Sequence, residues 1–290
     1  MRPKEFAALV SLLEDPDQEV YKTISSKLVS EGVPLVPLLE QAWEVSKSEI
    51  LQSRVEDILH KIQFNNARSN LADWVATGCS DLLAGIVYVA QYQFPDIEYE
   101  VIESYIQKLK QKVWHELNES LTALEKVKVL NHILYGLYGF SGNAYNFFAP
   151  QNHFINHLIE TKKGGPVLIS IFYSLVAQSL GLPIYPVSLP RNFLVAYKNR
   201  YGHTAGGGEV EQAILFYINP FNQGSVLARK DIEQFLSQNK ITPKEEYFLP
   251  CTNRTAVSQL LGSLLMSFHK LGQPNKADDV KVLLDILHKQ

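Results

Sequence analysis

The chain has 290 residues, 46% of them hydrophobic and 20% charged, enough apolar content to bury a sizeable core in one large domain or two to three small ones. A formal net charge of -3, with the lysines scattered rather than gathered on one stripe, leaves no electrostatic footprint for nucleic acid and speaks against that class of partner. Two cysteines, Cys79 and Cys251, are too few for a disulfide framework or a cysteine-based zinc site and suit a reducing, cytoplasmic setting.

The first segment, residues 1–66, reads as helical throughout. Phe6, Leu9, Val10, Leu12 and Leu13 form an apolar stripe, which "DPD" at 15–17 ends while capping a second helix that carries Val20, Ile24, Leu28 and Val29. Acidic residues interrupt the N-terminus, so no signal peptide is expected there. Leu35, Leu38, Leu39, Ala42 and Trp43 start a third helix, and Ile50, Val55, Ile58, Leu59 and Ile62 mark a fourth. The pairing resembles HEAT-type repeats, and two pairs are too few to bury their own core without packing on the residues beyond 66.

Residues 71–136 fit three more helices, with Cys79 inside the first and with Asp96 and Ser120 as starts of the next two. A loop of Gly, Asn and aromatic residues (141–151) leads to a short helix near Phe154. The apolar helix "PVLISIFYSLVAQSL" comes next, opening behind Gly164 and Gly165 and stopping at "GLP". Its run Val167 to Ala177 is about half of what a bilayer requires, so no membrane span is expected. After Pro183 the period becomes strand-like: "IYPVSL", "NFLVAYKN" and "QAILFYINP" are short, aromatic and β-branched, and the polar stretch from Arg200 to Glu211 reads as a hairpin tip. Helices first and a small antiparallel sheet late define an α+β, mostly helical layout. From Asn253 two helices separated by "GQPN" look like one tetratricopeptide-type hairpin.

Cysteine acyl-transfer enzymes place a thiolate at a helix N-terminus, a histidine within hydrogen-bond reach, and an Asp or Asn to orient it. "GGP" at 164–166, "RNFLVAY" at 191–197 and "YINPF" at 217–221 stand where those parts belong in transglutaminase-like domains. With "GFSGNAYNFFAPQNHFINHLIETKKGGP", "LGLP" and "NPFNQG", the order and spacing resemble the transglutaminase-like superfamily and its bacterial SirB-type branch. The resemblance covers most of residues 67–235 and implies a papain-like core at 67–240, flanked by the helical segment 1–66 and a hairpin at 241–290. Carried over by position, it puts Pro166 in the cysteine slot, Asn192 in the histidine slot and Asn219 in the aspartate slot. The SirB-type branch lacks the cysteine but often keeps the other two, so this chain departs further.

Proline is a good first helical residue but no nucleophile. Neither asparagine can exchange a proton near neutral pH or carry a carboxylate's charge. The implied function is a non-catalytic binding or scaffold module with a protein or peptide partner and no cofactor. Its cleft would be lined by Tyr145, Phe147, Asn152, Ser170, Asn192, Asn219 and Asn222, unless those asparagines serve only loop and strand-end backbone groups. The alternative is an acyl-transfer or peptidase-class enzyme whose nucleophile is Ser170 or Cys251, the latter paired with His203. A weaker third reading takes His153 and His157, four residues apart, as metal ligands on one helix face; no third ligand is suggested, and no metal site is expected.

Overall fold

The computed structural model describes residues 2–199 and 214–288; the expected hairpin tip with His203 lies outside them. Helices α1 (Pro3–Leu12), α2 (Gln18–Glu31) and α3 (Val36–Val45) pack on the first half of α4 (Glu49–Ala76). Asp17 caps α2 by accepting the Glu19 N–H at 2.8 Å, as "DPD" led one to expect. Arg54 reaches from α4 to donate to the Leu13 and Asp15 carbonyls, both at 2.6 Å, which fastens the α1–α2 turn. Leu13, Leu28, Val36, Leu39, Val55 and Ile58 are fully buried in this bundle.

The fourth helix does not stop near residue 66. It runs for 28 residues through Asn65 and Asn66, and the boundary read from the sequence falls inside it. What changes there is the core: Ile62 belongs to the N-terminal cluster, whereas Ala67, Leu71 and Trp74 belong to the main one. One rigid helix thus serves two cores. The break comes later, at Gly78 (φ 85°) and Cys79 (φ 55°), so Cys79 sits in a left-handed turn rather than inside a helix, and α5 (Leu82–Gln91) starts from its Asp81 cap.

Helix α6 (Tyr99–Glu116) follows from Glu98, and α7 (Ala123–Asn131) from a Thr122–Glu125 capping box, rather than from Asp96 and Ser120. A π-helical turn, His132–Leu137, continues α7. Short strands β1 (Ser141–Gly142) and β2 (Lys163–Gly164) pair in parallel around the 3-10 turn Pro150–His153 and helix α8 (Ile155–Thr161). Helix α9 (Pro166–Ser179) is the apolar helix of the sequence, with Pro166 at its first position.

The sheet is antiparallel in the order β3 (Ile184–Leu189), β4 (Asn192–Lys198), β5 (Ile214–Asn219) and β6 (Ser225–Leu227). One face, with Ile184, Phe193, Val195 and Ile218, packs on α9. The other, with Val187, Leu194, Ala196 and Tyr217, packs on α10 (Arg229–Gln238), a short polar helix beyond those expected, held by Ile232 and Leu236. Helices α11 (Asn253–Lys270) and α12 (Pro274–His288) form the expected C-terminal hairpin. Their apolar residues join the same cluster as α5 and α9, so the hairpin from Asn253 packs as part of the main core, whereas Ile241, Tyr247 and Phe248 pack with α10 on the other face of the sheet. Asp279 of α12 closes on α4 and α5 through His60 at 2.8 Å and the Tyr92 hydroxyl at 3.0 Å.

The turn after β5 is tied to α7 by Asn131, which donates to the Gly224 carbonyl at 2.9 Å while accepting from the Tyr173 hydroxyl at 2.9 Å. Gly224 has φ 70°, and a Cβ there would lie 2.1 Å from the Asn131 side-chain oxygen. Left-handed backbone and close approach both demand glycine. Gly224→Ala is expected to lower stability by about 2–3 kcal/mol, read as a shift in the urea midpoint, with Gly139→Ala, also at positive φ but with nothing within 4 Å, costing less.

Candidate functional site

The N-terminus of α9 opens on a cavity of about 320 Å³ between β4, α11 and the loop before the 3-10 turn. Pro166 and Asn192 both line it, together with Phe148, His153, Met266 and Ser267. The two residues that the resemblance puts in the cysteine and histidine slots, Pro166 and Asn192, thus line one cavity. The antiparallel register Val195↔Ile218 brings the end of β5 beside the middle of β4, and Asn219 is not among the lining residues. Its side chain accepts the Asn222 N–H at 3.2 Å and caps the 3-10 turn Pro220–Asn222, and Asn222 donates to the Ser225 hydroxyl at 3.3 Å.

The remaining expected cleft residues divide the same way. Asn152 is 1% exposed; its amide donates to the Asn146 and Phe147 carbonyls at 2.7 and 3.0 Å and accepts from Asn143 at 2.8 Å. Its own carbonyl accepts the Gly165 N–H at 2.9 Å. Asn152 thus shapes the loop that walls the cleft and sets the residue preceding α9, a role of buried amides in irregular backbone. Ser170 is fully buried and donates to the Phe193 carbonyl at 3.2 Å. Tyr145 projects fully into solvent, away from the cavity lining. Asn192 is the one expected asparagine at the cavity; its amide oxygen accepts the Phe193 N–H at 2.9 Å.

His153 and His157 do not share a helix face, because His153 ends the 3-10 turn and α8 begins at Ile155. Among the described residues no group of three His, Cys, Asp or Glu could hold a metal ion. His153 instead reaches across to α11, with Nε2 2.9 Å from the Ser267 hydroxyl, a pairing over 114 residues. A histidine and a serine at this distance beside the start of α9 have the outline of a base and nucleophile. Three facts oppose that use. Ser267 is 1% exposed and donates to the Ser263 carbonyl at 3.1 Å. Among the described residues Nδ1 of His153 has no partner, so none of their carboxylates orients the ring. Burial pushes the His153 pKa down to about 4, too weak a base near neutral pH.

Neither thiol is activated. Cys251 lies between α10 and α11 with its N–H on the Pro186 carbonyl at 2.8 Å, and burial pushes its thiol up to about 12. Cys79 is raised by the same cause. Both shifts run opposite to those of nucleophilic cysteines.

Residues 100–262, more than half of the chain, match the transglutaminase-like superfamily. The chain belongs to that superfamily. The match begins in α6 and ends in α11, so the family core takes in part of the C-terminal hairpin. Similar proteins include a UPF0162 protein of Xylella fastidiosa (strain Temecula1), 26% identical over 153 residues that make up 53% of this chain and 50% of that protein. A UPF0162 protein of Pasteurella multocida is 29% identical over 107 residues, 37% of this chain and 36% of its own. F-box only protein 21 of Mus musculus is 27% identical over 179 residues, 54% of this chain but 28% of that protein. The chain thus spans half or less of the length of these relatives. No solved structure matches it.

Sequence reasoning missed Ser267, Arg191 and Met266 as cleft residues, since they come from a turn and from a helix far along the chain. Only the spacing of Gly262, Met266 and Lys270, four apart on α11, carries a trace of one shared face.

The depressed pKa of His153 makes stability depend on pH. The unfolded chain binds this proton near the ordinary value of 6.5 and the folded one only near 4, so stability falls as pH drops through that window, by on the order of 3 kcal/mol in total. His153→Gln is expected to flatten the urea-midpoint profile between pH 6.5 and 4.

Proposed function

We propose that this chain is a non-catalytic, SirB-type member of the transglutaminase-like superfamily that acts as a cytosolic binding or scaffold module, holding a protein or peptide partner in the cleft where its relatives' chemistry would sit. The observation that carries the reading is the pairing of Pro166 with Asn192 at the cleft, where a nucleophile and its base would stand. The apolar rim supports it further. Phe147, Phe148 and Met266 are 44%, 39% and 55% exposed, contiguous apolar surface of the kind that binding sites show. That part of this core recurs in UPF0162 proteins and in a much longer F-box only protein fits a module reused in different settings. The helical flanks, read as HEAT-like and tetratricopeptide-like, would extend the binding surface.

Selection from a phage-displayed peptide library on the immobilised chain tests this. Selected peptides are expected to bind saturably, to be recovered uncut by mass spectrometry, and to lose at least tenfold in affinity on Phe148→Ser with the melting temperature unchanged. Cleavage or acylation of a bound peptide, or binding indifferent to Phe148, would contradict the proposal.

A further inference from the structure

The cleft at α9 continues along α11 into a second, shallower depression lined by Gly262, Leu265, Met266, His269 and Lys270. The two share Gly262 and Met266, so Met266 stands at the middle of one groove. Its apolar floor includes Phe148, which stacks edge-on with Phe147 at 5.2 Å between ring centroids. Lys270 lies 5.7 Å over the Phe148 ring.

Among the described residues no acidic side chain lines either depression. Each contributes one full cation, Arg191 in the first and Lys270 in the second, and among the described residues no carboxylate pairs with either. Glu246, which lines the depression on the far side of Arg191, is engaged by Lys244 at 3.6 Å. Arg191 moreover occupies the β3–β4 turn at φ 64°, where glycine would sit without strain.

We infer that the groove takes a peptide segment with large apolar side chains flanked by acidic ones, the apolar part seated on Phe148 and Met266 and the carboxylates meeting Arg191 and Lys270. This rests on the binding reading above and specifies its partner's chemistry. Two cations bracketing an apolar strip complement such a segment and repel a basic one, which gives selectivity more than raw affinity. The amide NH2 of Asn192 and the side chain of Gln259, both at the cavity, supply hydrogen bonding for a peptide backbone.

The chain has two methionines, so methyl-labelled methionine gives two resonances, which Met266→Leu assigns. Three blocked hexapeptides, each with a central leucine–phenylalanine pair flanked by glutamates, by glutamines or by lysines, are titrated against the full chain. The glutamate peptide is expected to shift the Met266 methyl with affinity at least tenfold above the glutamine peptide, the lysine peptide to leave it unmoved, and added salt to weaken the first. Arg191→Gln and Lys270→Gln should each cut the ratio of glutamate-peptide to glutamine-peptide affinity severalfold with the melting temperature unchanged. Equal shifts by the glutamate and glutamine peptides, or preference for lysine, would overturn the acidic assignment and leave the peptide reading standing. No shift of Met266 by any of the three would overturn both.

Discussion

The main core of this molecule is arranged around one helix that is buried over most of its length. Ten of the fourteen residues of α9 are buried, from Val167 to Ala177 with Leu175 excepted, and each large apolar side chain among them contributes about 1.5–3 kcal/mol by leaving water. Such a helix can carry polar groups only where partners await them. Ser170 donates to the Phe193 carbonyl, Ser174 to the Ile184 carbonyl at 2.8 Å, and Tyr173 to Asn131. The two serine bonds also fix β4 and β3 against the helix, and the tyrosine bond ties it to α7. The start of α9, fixed through Gly165 on the Asn152 carbonyl, therefore has one position, and the cleft at Pro166 is set by it.

That constraint holds the start of α9 and the cleft beside it in place whatever residues line them. The helix start, the strand and the turn after β5 are held by packing and by backbone hydrogen bonds that do not need a cysteine, histidine or aspartate. Proline suits the first helical position, where its missing N–H has no intrahelical acceptor to lose. Asn219 uses its side chain on the backbone of the turn it caps. The polar groups that the cleft does contain are neutral, as His153 is at ordinary pH, or positive, as Arg191 is.

Much of this was legible in the sequence where local chemistry decides the outcome. The strand Ile184–Leu189 and the helix start at Pro166 fall where alternation and the glycine pair put them. The long helix α4 was not legible, because the stretch through Asn65 and Asn66 has poor helix propensity and its continuity comes from cores on either side of it. The turn at Gly78–Cys79 hid within an apolar stretch that reads as helix. In the cleft, residues contributed by local motifs were found and residues brought from afar were not: the His153–Ser267 pair spans 114 positions, and no periodicity links them. Asn152, Asn219 and Asn222 suit a ligand or, more readily, local backbone groups in the sequence; the side chains of Asn152 and Asn219 serve backbone, and that of Asn222 donates to the Ser225 hydroxyl.

The central claim, that the cleft performs no covalent chemistry, is met most directly by covalent labelling at pH 7 with a fluorophosphonate and with iodoacetamide, read residue by residue by mass spectrometry. Ser170 and Ser267 are expected to carry no fluorophosphonate adduct, and Cys251 and Cys79 to be alkylated only as slowly as buried, raised thiols allow. A stoichiometric adduct on any of these four residues in the native protein, abolished by His153→Gln, would contradict the claim.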